Sequence, residues 1–229
     1  MSSVKENIEK VRERVARAAE KAGRDAGRIT IVAVSKRFGP EKVVEAIEAG
    51  IEDIGENRVQ EFLEKSPKVT LPCRWHLIGH LQTNKVKRII DRFVMIHSVD
   101  SVHLAERMDR AAEAAHSGFD ILLEVNTSGE ESKYGFDPAE VEEAVHSIAQ
   151  FPHVHLKGLM TVGPLTDDVR RIAESFARLR TLRDDIARNQ IEGVSMEHLS
   201  MGMTDDFEIA VAEGSTILRI GRAIFGERG

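Results

Sequence analysis

Ile29-Thr30-Ile31-Val32-Ala33-Val34-Ser35-Lys36 is an apolar run that ends abruptly in a lysine. Ile29 to Val34 is far too short to cross a bilayer, and the run is followed by Arg37-Phe38-Gly39-Pro40 and then an amphipathic stretch. The unit repeats along the chain. Candidate strands fall at 29–35, 51–55, 74–79, 93–99, 119–126, 154–162, 194–200 and 217–221, and helical stretches follow the first seven. Eight βα units with no linker predict a parallel sheet with helices outside, and closure into a (β/α)8 TIM-type barrel disposes of the sheet edges. An open doubly wound sheet is the rival, but its usual Gly-rich first turn is missing after Val34.

Working outward, the N-terminal segment reads as an extra helix. Ser3 and Glu6 have capping-box spacing, Val4, Ile8, Val11 and Val15 share one face, and Gly23 and Gly27 end it. We therefore divide one domain, 1–229, into an N-terminal helix (1–27) and a barrel (28–229). The clearest later helix runs from Asp167 to about Arg188, with Thr166 as its expected cap. Asp137-Pro138 with Glu140 predicts a helix with proline at its first position. Gly50, Gly118 and Gly214 sit where left-handed C-cap residues are wanted.

The 229 residues suit one such barrel, and 41% hydrophobic with 31% charged residues fits a solvated globular chain. The net charge of −6 and the lack of a long basic run argue against nucleic-acid binding. Cys73 is the only cysteine, which excludes an internal disulfide and agrees with a reducing compartment. The first twenty residues do not read as a signal peptide. The expectation is a soluble cytoplasmic protein without membrane contact.

In a barrel of this kind the C-terminal strand ends converge on one mouth. Those ends carry Ser35-Lys36, Glu56-Asn57, Gly79-His80, Asn126-Thr127-Ser128, Met160-Thr161, Ser200-Met201-Gly202-Met203 and Arg219-Ile220-Gly221-Arg222. Lys36 stands out: desolvation at an apolar mouth lowers an amine pKa and frees a nucleophile for imine formation, although a strand-ending lysine can equally reach solvent. Arg219 lies within an apolar strand and needs a partner, either an ordinary carboxylate or a ligand. Gly202 and Gly221, in the loops after strands seven and eight, admit close approach of an anion to the backbone, or merely serve turns. His153 and His155 share a strand face, but no third metal ligand is evident and no metal site is expected.

Long motifs extend the reading. Ala33-Val34-Ser35-Lys36, Gly55-Glu56-Asn57-Arg58-Val59-Gln60-Glu61, Trp75-His76-Leu77-Ile78-Gly79-His80-Leu81-Gln82-Thr83-Asn84-Lys85, Ser132-Lys133-Tyr134-Gly135, Gly158-Leu159-Met160, Leu199-Ser200-Met201-Gly202-Met203-Thr204-Asp205-Asp206 and Arg219-Ile220-Gly221-Arg222-Ala223-Ile224-Phe225-Gly226 follow one another in order. From about Val4 to Gly226 the chain resembles the YggS/PROSC family of pyridoxal phosphate homeostasis proteins. The resemblance implies a barrel like the N-terminal domain of alanine racemase. It implies pyridoxal 5′-phosphate as cofactor, held as a Schiff base on Lys36, with Asn57 lining the ring. It also implies a phosphate cup from Ser200, the backbone at Met201, Gly221 and Arg222, and Arg219 at the pyridine nitrogen. Arg58 and Arg222 depart from the family, where Tyr and Thr or Ser are common.

An arginine at that nitrogen disfavours protonating it and weakens the electron sink. Related racemases compensate with a tyrosine from a further C-terminal domain, for which no segment follows strand eight here. The only tyrosine, Tyr134, falls in the loop after strand five. The expected function is therefore binding, buffering and delivery of pyridoxal phosphate to apo-enzymes by a monomer, with little or no catalysis. A small racemase or transaminase is the alternative, and a cofactor-free lysine aldolase a third.

Overall fold

A computed structural model describes residues 3–130 and 133–227; Ser132 of the fourth motif lies outside them. Eight parallel strands, β1 (Thr30–Val34), β2 (Asp53–Glu56), β3 (Arg74–Leu77), β4 (Met95–Val99), β5 (Phe119–Glu124), β6 (Val154–Met160), β7 (Val194–Ser200) and β8 (Ile217–Ile220), close into a barrel in chain order. Closure is made by β8 pairing with β1, with Arg219 opposite Val32. The open-sheet alternative is thereby excluded.

The helices are α1 (Val4–Lys21), α2 (Pro40–Glu48), α3 (Val59–Lys65), α4 (Val102–Ala115), α5 (Val141–Ile148), α6 (Val169–Arg188), α7 (Phe207–Ala212) and α8 (Arg222–Phe225). The α1 capping box is present, with Ser3 N donating to Glu6 Oε2 at 3.1 Å and Glu6 N to Ser3 Oγ at 3.2 Å. Its buried stripe of Val4, Ile8, Val11 and Val15 faces α2, α7 and α8. Since α7 and α8 span only one or two turns, α1 covers apolar surface they leave open.

Period-two alternation sorts the strand residues. Ala33, Ile54, Leu123, Leu159 and Ile220 belong to the large core between sheet and helices. Val32, Met95, Leu122, Met160 and Ile217 form a separate apolar plug inside the barrel. Because a barrel interior is filled by side chains, the residues beyond that plug define the mouth.

Several local expectations are corrected. Asp168, not Thr166, caps α6, its carboxylate accepting from Arg170 N at 2.9 Å. A carboxylate one residue from the helix complements the dipole better than a hydroxyl farther out. Pro138 lies in a turn, because Asp137 accepts from Ala139 N at 2.9 Å and delays α5 to Val141. His116 takes the left-handed C-cap position of α4, at φ 53°, which had been expected of Gly118. After β3 the chain makes only a 3₁₀ segment, Thr83–Arg88, in place of an α-helix.

Candidate functional site

Alternation carries Val34 to the inner face of β1 and aims the next even position, Lys36, into the mouth. The turn Ser35-Lys36-Arg37-Phe38 is closed by Phe38 N donating to Ser35 O at 3.0 Å, and Arg37 adopts a left-handed φ of 67°. It is held from the outer side of the barrel. Lys65, buried at the end of α3, donates to Ser35 O at 2.8 Å and pairs with Glu56 and Glu61. Ser35 Oγ donates to Glu56 Oε1 at 2.5 Å. Burial pushes the Glu56 carboxyl up, against the pull of Lys65 and Ser35.

Lys36, Asn57, Arg219, Gly221 and Arg222 line one cavity of about 380 Å³ with Val34, Ile78 and Thr204. That volume is in the range of small-molecule sites. Asn57 is seated against Gly79, where a Cβ would lie 2.3 Å from Asn57 O; the backbones can approach so closely only because residue 79 has no side chain. A larger hollow of about 570 Å³ beside the mouth has Leu165, Val169 and carboxylates in its wall and no basic residue, which disfavours an anion.

The structure does not bring Ser200 and Met201 to this cavity. Ser200 Oγ is fully buried inside the barrel, between His97 Nδ1 at 2.9 Å and Arg219 Nη1 at 2.7 Å. Met201 N donates to Ile217 O at 3.1 Å and has no proton left for an anion. Gly202 supports the turn into α7, where a Cβ would fall 2.5 Å from Ala210 Cβ. Thr204, not singled out as a site residue in the sequence, takes the place expected of Ser200: it lines the cavity, and its Oγ1 accepts from Ala223 N at 3.3 Å. The alternation of β7 was the available signal, because a strand that turns Ser200 inward at its end carries the mouth contacts into the following loop.

Arg219 is 4% exposed and donates from Nη2 to Thr161 O at 2.8 Å. Burial pulls its guanidinium down to about 10, while Glu124 and Asp206 oppose this. Arg222 pairs with Asp205 at the surface. Arg58 is exposed before α3. His80 stacks on the exposed Tyr134, with ring centroids 4.4 Å apart, and pairs with Asp100. His153 and His155 each pair with an aspartate. Among the described residues no cluster of three or more His, Cys, Asp or Glu is placed to hold a metal, and no helix is long and apolar enough to cross a membrane.

Glu124, at the end of β5, is raised by burial to about 7 from a usual 4.5, with Arg219 pulling it down and Asp100 pushing it up. A raised carboxyl stabilises the fold at pH values below its unfolded value, and this contribution is lost as pH rises through the folded value. Between pH 5 and 8 the parent should therefore lose about 2–3 kcal/mol relative to Glu124→Gln. Urea unfolding of both proteins across that range checks this, and superimposable pH profiles would refute it.

The closed barrel and its basic cavity define a class. A family model described as alanine racemase, N-terminal domain, matches residues 2–229. Curated relatives include the pyridoxal phosphate homeostasis proteins of Aquifex aeolicus, 42% identical over 97% of each chain, and of Pseudomonas aeruginosa, 40% identical over 100% of this chain and 97% of that one. Among solved structures, PipY of Synechococcus elongatus with PLP bound is 34% identical, with a TM-score of 0.82 over 93% of this chain and all of that one. The chain belongs to the pyridoxal phosphate homeostasis protein family, a branch of the alanine racemase N-terminal-domain barrels.

Proposed function

We propose that this chain binds pyridoxal 5′-phosphate through Lys36 and serves cytoplasmic homeostasis and delivery of that cofactor to apo-enzymes, with little or no turnover of its own. The observation that carries the reading is the convergence of Lys36 and Arg219, from neighbouring strands β1 and β8, on one cavity beside the first turn of α8. The donor set fits the group: an amine for an aldehyde, a guanidinium for an aromatic nitrogen, and a polar rim for an anion. When bound, the cofactor supplies an aldehyde that condenses reversibly with the lysine amine and a ring able to accept electrons.

The protein's part is placement. Lys36 presents its amine at the end of a turn fixed by Ser35, Glu56 and Lys65. Asn57 borders the ring space, held by its contact with Gly79. Gly221, the N-cap of α8, and Arg222, its first residue, offer N–H groups that have no partner within the helix, and Thr204 adds a hydroxyl beside them. Arg219 contributes donors and a fixed positive charge but no acceptor, so it gives an adjacent ring nitrogen no reason to take a proton.

The low-turnover reading rests on the same lining. Among the described residues no His, Tyr or Cys borders the cavity, and the one carboxylate in its lining, Asp205, is paired with Arg222. Tyr134, 60% exposed and stacked on His80, is not one of its walls.

Reconstituting the purified protein with pyridoxal phosphate tests the proposal. A visible band abolished by borohydride, with the adduct mapped to Lys36, is expected; a colourless protein would favour the aldolase. Incubation with alanine and serine in heavy water should leave Cα undeuterated on the timescale of enzyme turnover, and rapid exchange would favour the racemase or transaminase. Arg219→Met should weaken binding by about 10–100-fold, the worth of a hydrogen bond to a charged group, while leaving the covalent link intact. Fluorescence titration measures the loss, and unchanged affinity would remove Arg219 from the site.

A further inference from the structure

The barrel interior contains a polar column that binding of the cofactor does not explain. Asp53 Oδ1 lies 2.9 Å from His76 Nε2, His76 Nδ1 lies 3.0 Å from His97 Nε2, and His97 Nδ1 lies 2.9 Å from Ser200 Oγ. Arg219 Nη1 then donates to Ser200 Oγ at 2.7 Å. The links come from β2, β3, β4, β7 and β8 in turn. Asp53, His76, His97, Ser200 and Arg219 are all buried. The column runs from the first residue of β2, where Arg74 clasps Asp53 with Nε and Nη2 at 2.8 and 2.7 Å, to the mouth.

Its hydrogen bonds can be assigned a direction. Burial alone would push the Asp53 carboxyl up, but hydrogen bonds from Arg74 and His76 together outweigh it and hold it at about 2, so Asp53 is an acceptor only. His76 Nε2 must then carry a proton. His97 is held neutral by burial, with the nearby charge of Arg219 acting in the same sense. If His76 Nδ1 accepts, His97 Nε2 donates, His97 Nδ1 accepts from the Ser200 hydroxyl, and Ser200 Oγ accepts from Arg219. Every link is satisfied, and every donor points from Arg219 toward Asp53. The reverse direction would leave Ser200 accepting from both Arg219 and His97, its own proton without a partner in the column. The favoured direction turns the lone-pair end of each dipole toward the guanidinium, which has no carboxylate within salt-bridge distance among the described residues.

We propose that Asp53, His76, His97 and Ser200 form an ordered hydrogen-bond column that positions Arg219 and sustains its charge toward the bound cofactor, making Asp53 a positioning residue at the far end of the barrel. This rests on the pyridoxal phosphate reading for its consequence, but not for the column itself, which exists in the ligand-free chain.

Long-range ¹H–¹⁵N spectra of the ligand-free protein at neutral pH show which ring nitrogens carry protons. Both His76 and His97 should be protonated at Nε2 alone; an Nδ1-protonated His97 overturns the proposal. In Asp53→Asn the amide oxygen is kept by Arg74 Nη2, and its NH₂ takes the Oδ1 position facing His76, where Arg74 Nε gives up its bond. Both rings should then switch to Nδ1–H, including His97, which residue 53 does not touch. On loading with pyridoxal phosphate, this variant should keep the Lys36 adduct, shift the cofactor's absorption, and bind about two- to thirtyfold more weakly, the usual range for coupling mutations. Ser200→Ala cuts the column beside Arg219, should shift the absorption as well, and decides the matter if Asp53→Asn does not fold. An unchanged His97 tautomer in Asp53→Asn, or an unchanged cofactor spectrum in Ser200→Ala, overturns the column. Failure of the parent protein to load the cofactor would refute the proposed function instead, and the ligand-free spectra would still report on the column.

Discussion

Lys36→Ala should reduce the borohydride-stable adduct from near-stoichiometric to background while leaving the fold intact. Lys36 is only half-buried at a turn and lines an open cavity, so its truncation creates no closed cavity in the core. Arg219, Thr204 and the first amides of α8 remain in place, and a weaker, non-covalent complex should persist. Mass spectrometry of the reduced protein, alongside fluorescence titration of the unreduced one, separates these effects. The same adduct appearing on another lysine of Lys36→Ala would transfer the chemistry elsewhere. Complete loss of binding would mean that the polar rim contributes far less than its geometry suggests.

Lys65→Met should destabilise the protein by about 3–5 kcal/mol, the range for removing one partner of a buried ion pair. Glu56 is fully buried, and its Oε2 already lacks a hydrogen-bond partner. Without the Lys65 ammonium, the carboxyl must take up a proton or remain an unpaired buried charge. The cost is in the pairing, so Glu56→Gln combined with Lys65→Met should recover a good part of it. Urea denaturation of the single and double variants measures both, and a single variant within about 1 kcal/mol of the parent would show the cluster to be marginal. The effect should reach the site. Lys65 also holds Ser35 O, and releasing that carbonyl frees the turn that aims Lys36, so the variant should load the cofactor more slowly even where it remains folded.

What could be read in advance was whatever depends on local order along the chain. The apolar runs, their spacing and the stripe on α1 follow from burial acting on near neighbours, and they specify strands, helices and, by number, the barrel. Strand alternation and family motifs together placed Lys36, Asn57, Arg219, Gly221 and Arg222 at the mouth. The errors at Thr166, Pro138 and Gly118 are of one kind: several residues near a helix end can satisfy the same orphan groups, and local hydrogen bonds choose among them.

The remainder was settled only when the sheet closed. Whether Ser200 meets an anion or turns to His97 depends on which way the last residue of β7 points, and so on the register of β7 against β8. Asp53, His76, His97, Ser200 and Arg219 are scattered over most of the chain, and nothing in their spacing makes them neighbours. A closed barrel forces inward side chains from distant strands into a space where each buried polar group must find a partner. Linear order records which groups are present, but only closure and register decide which of them touch.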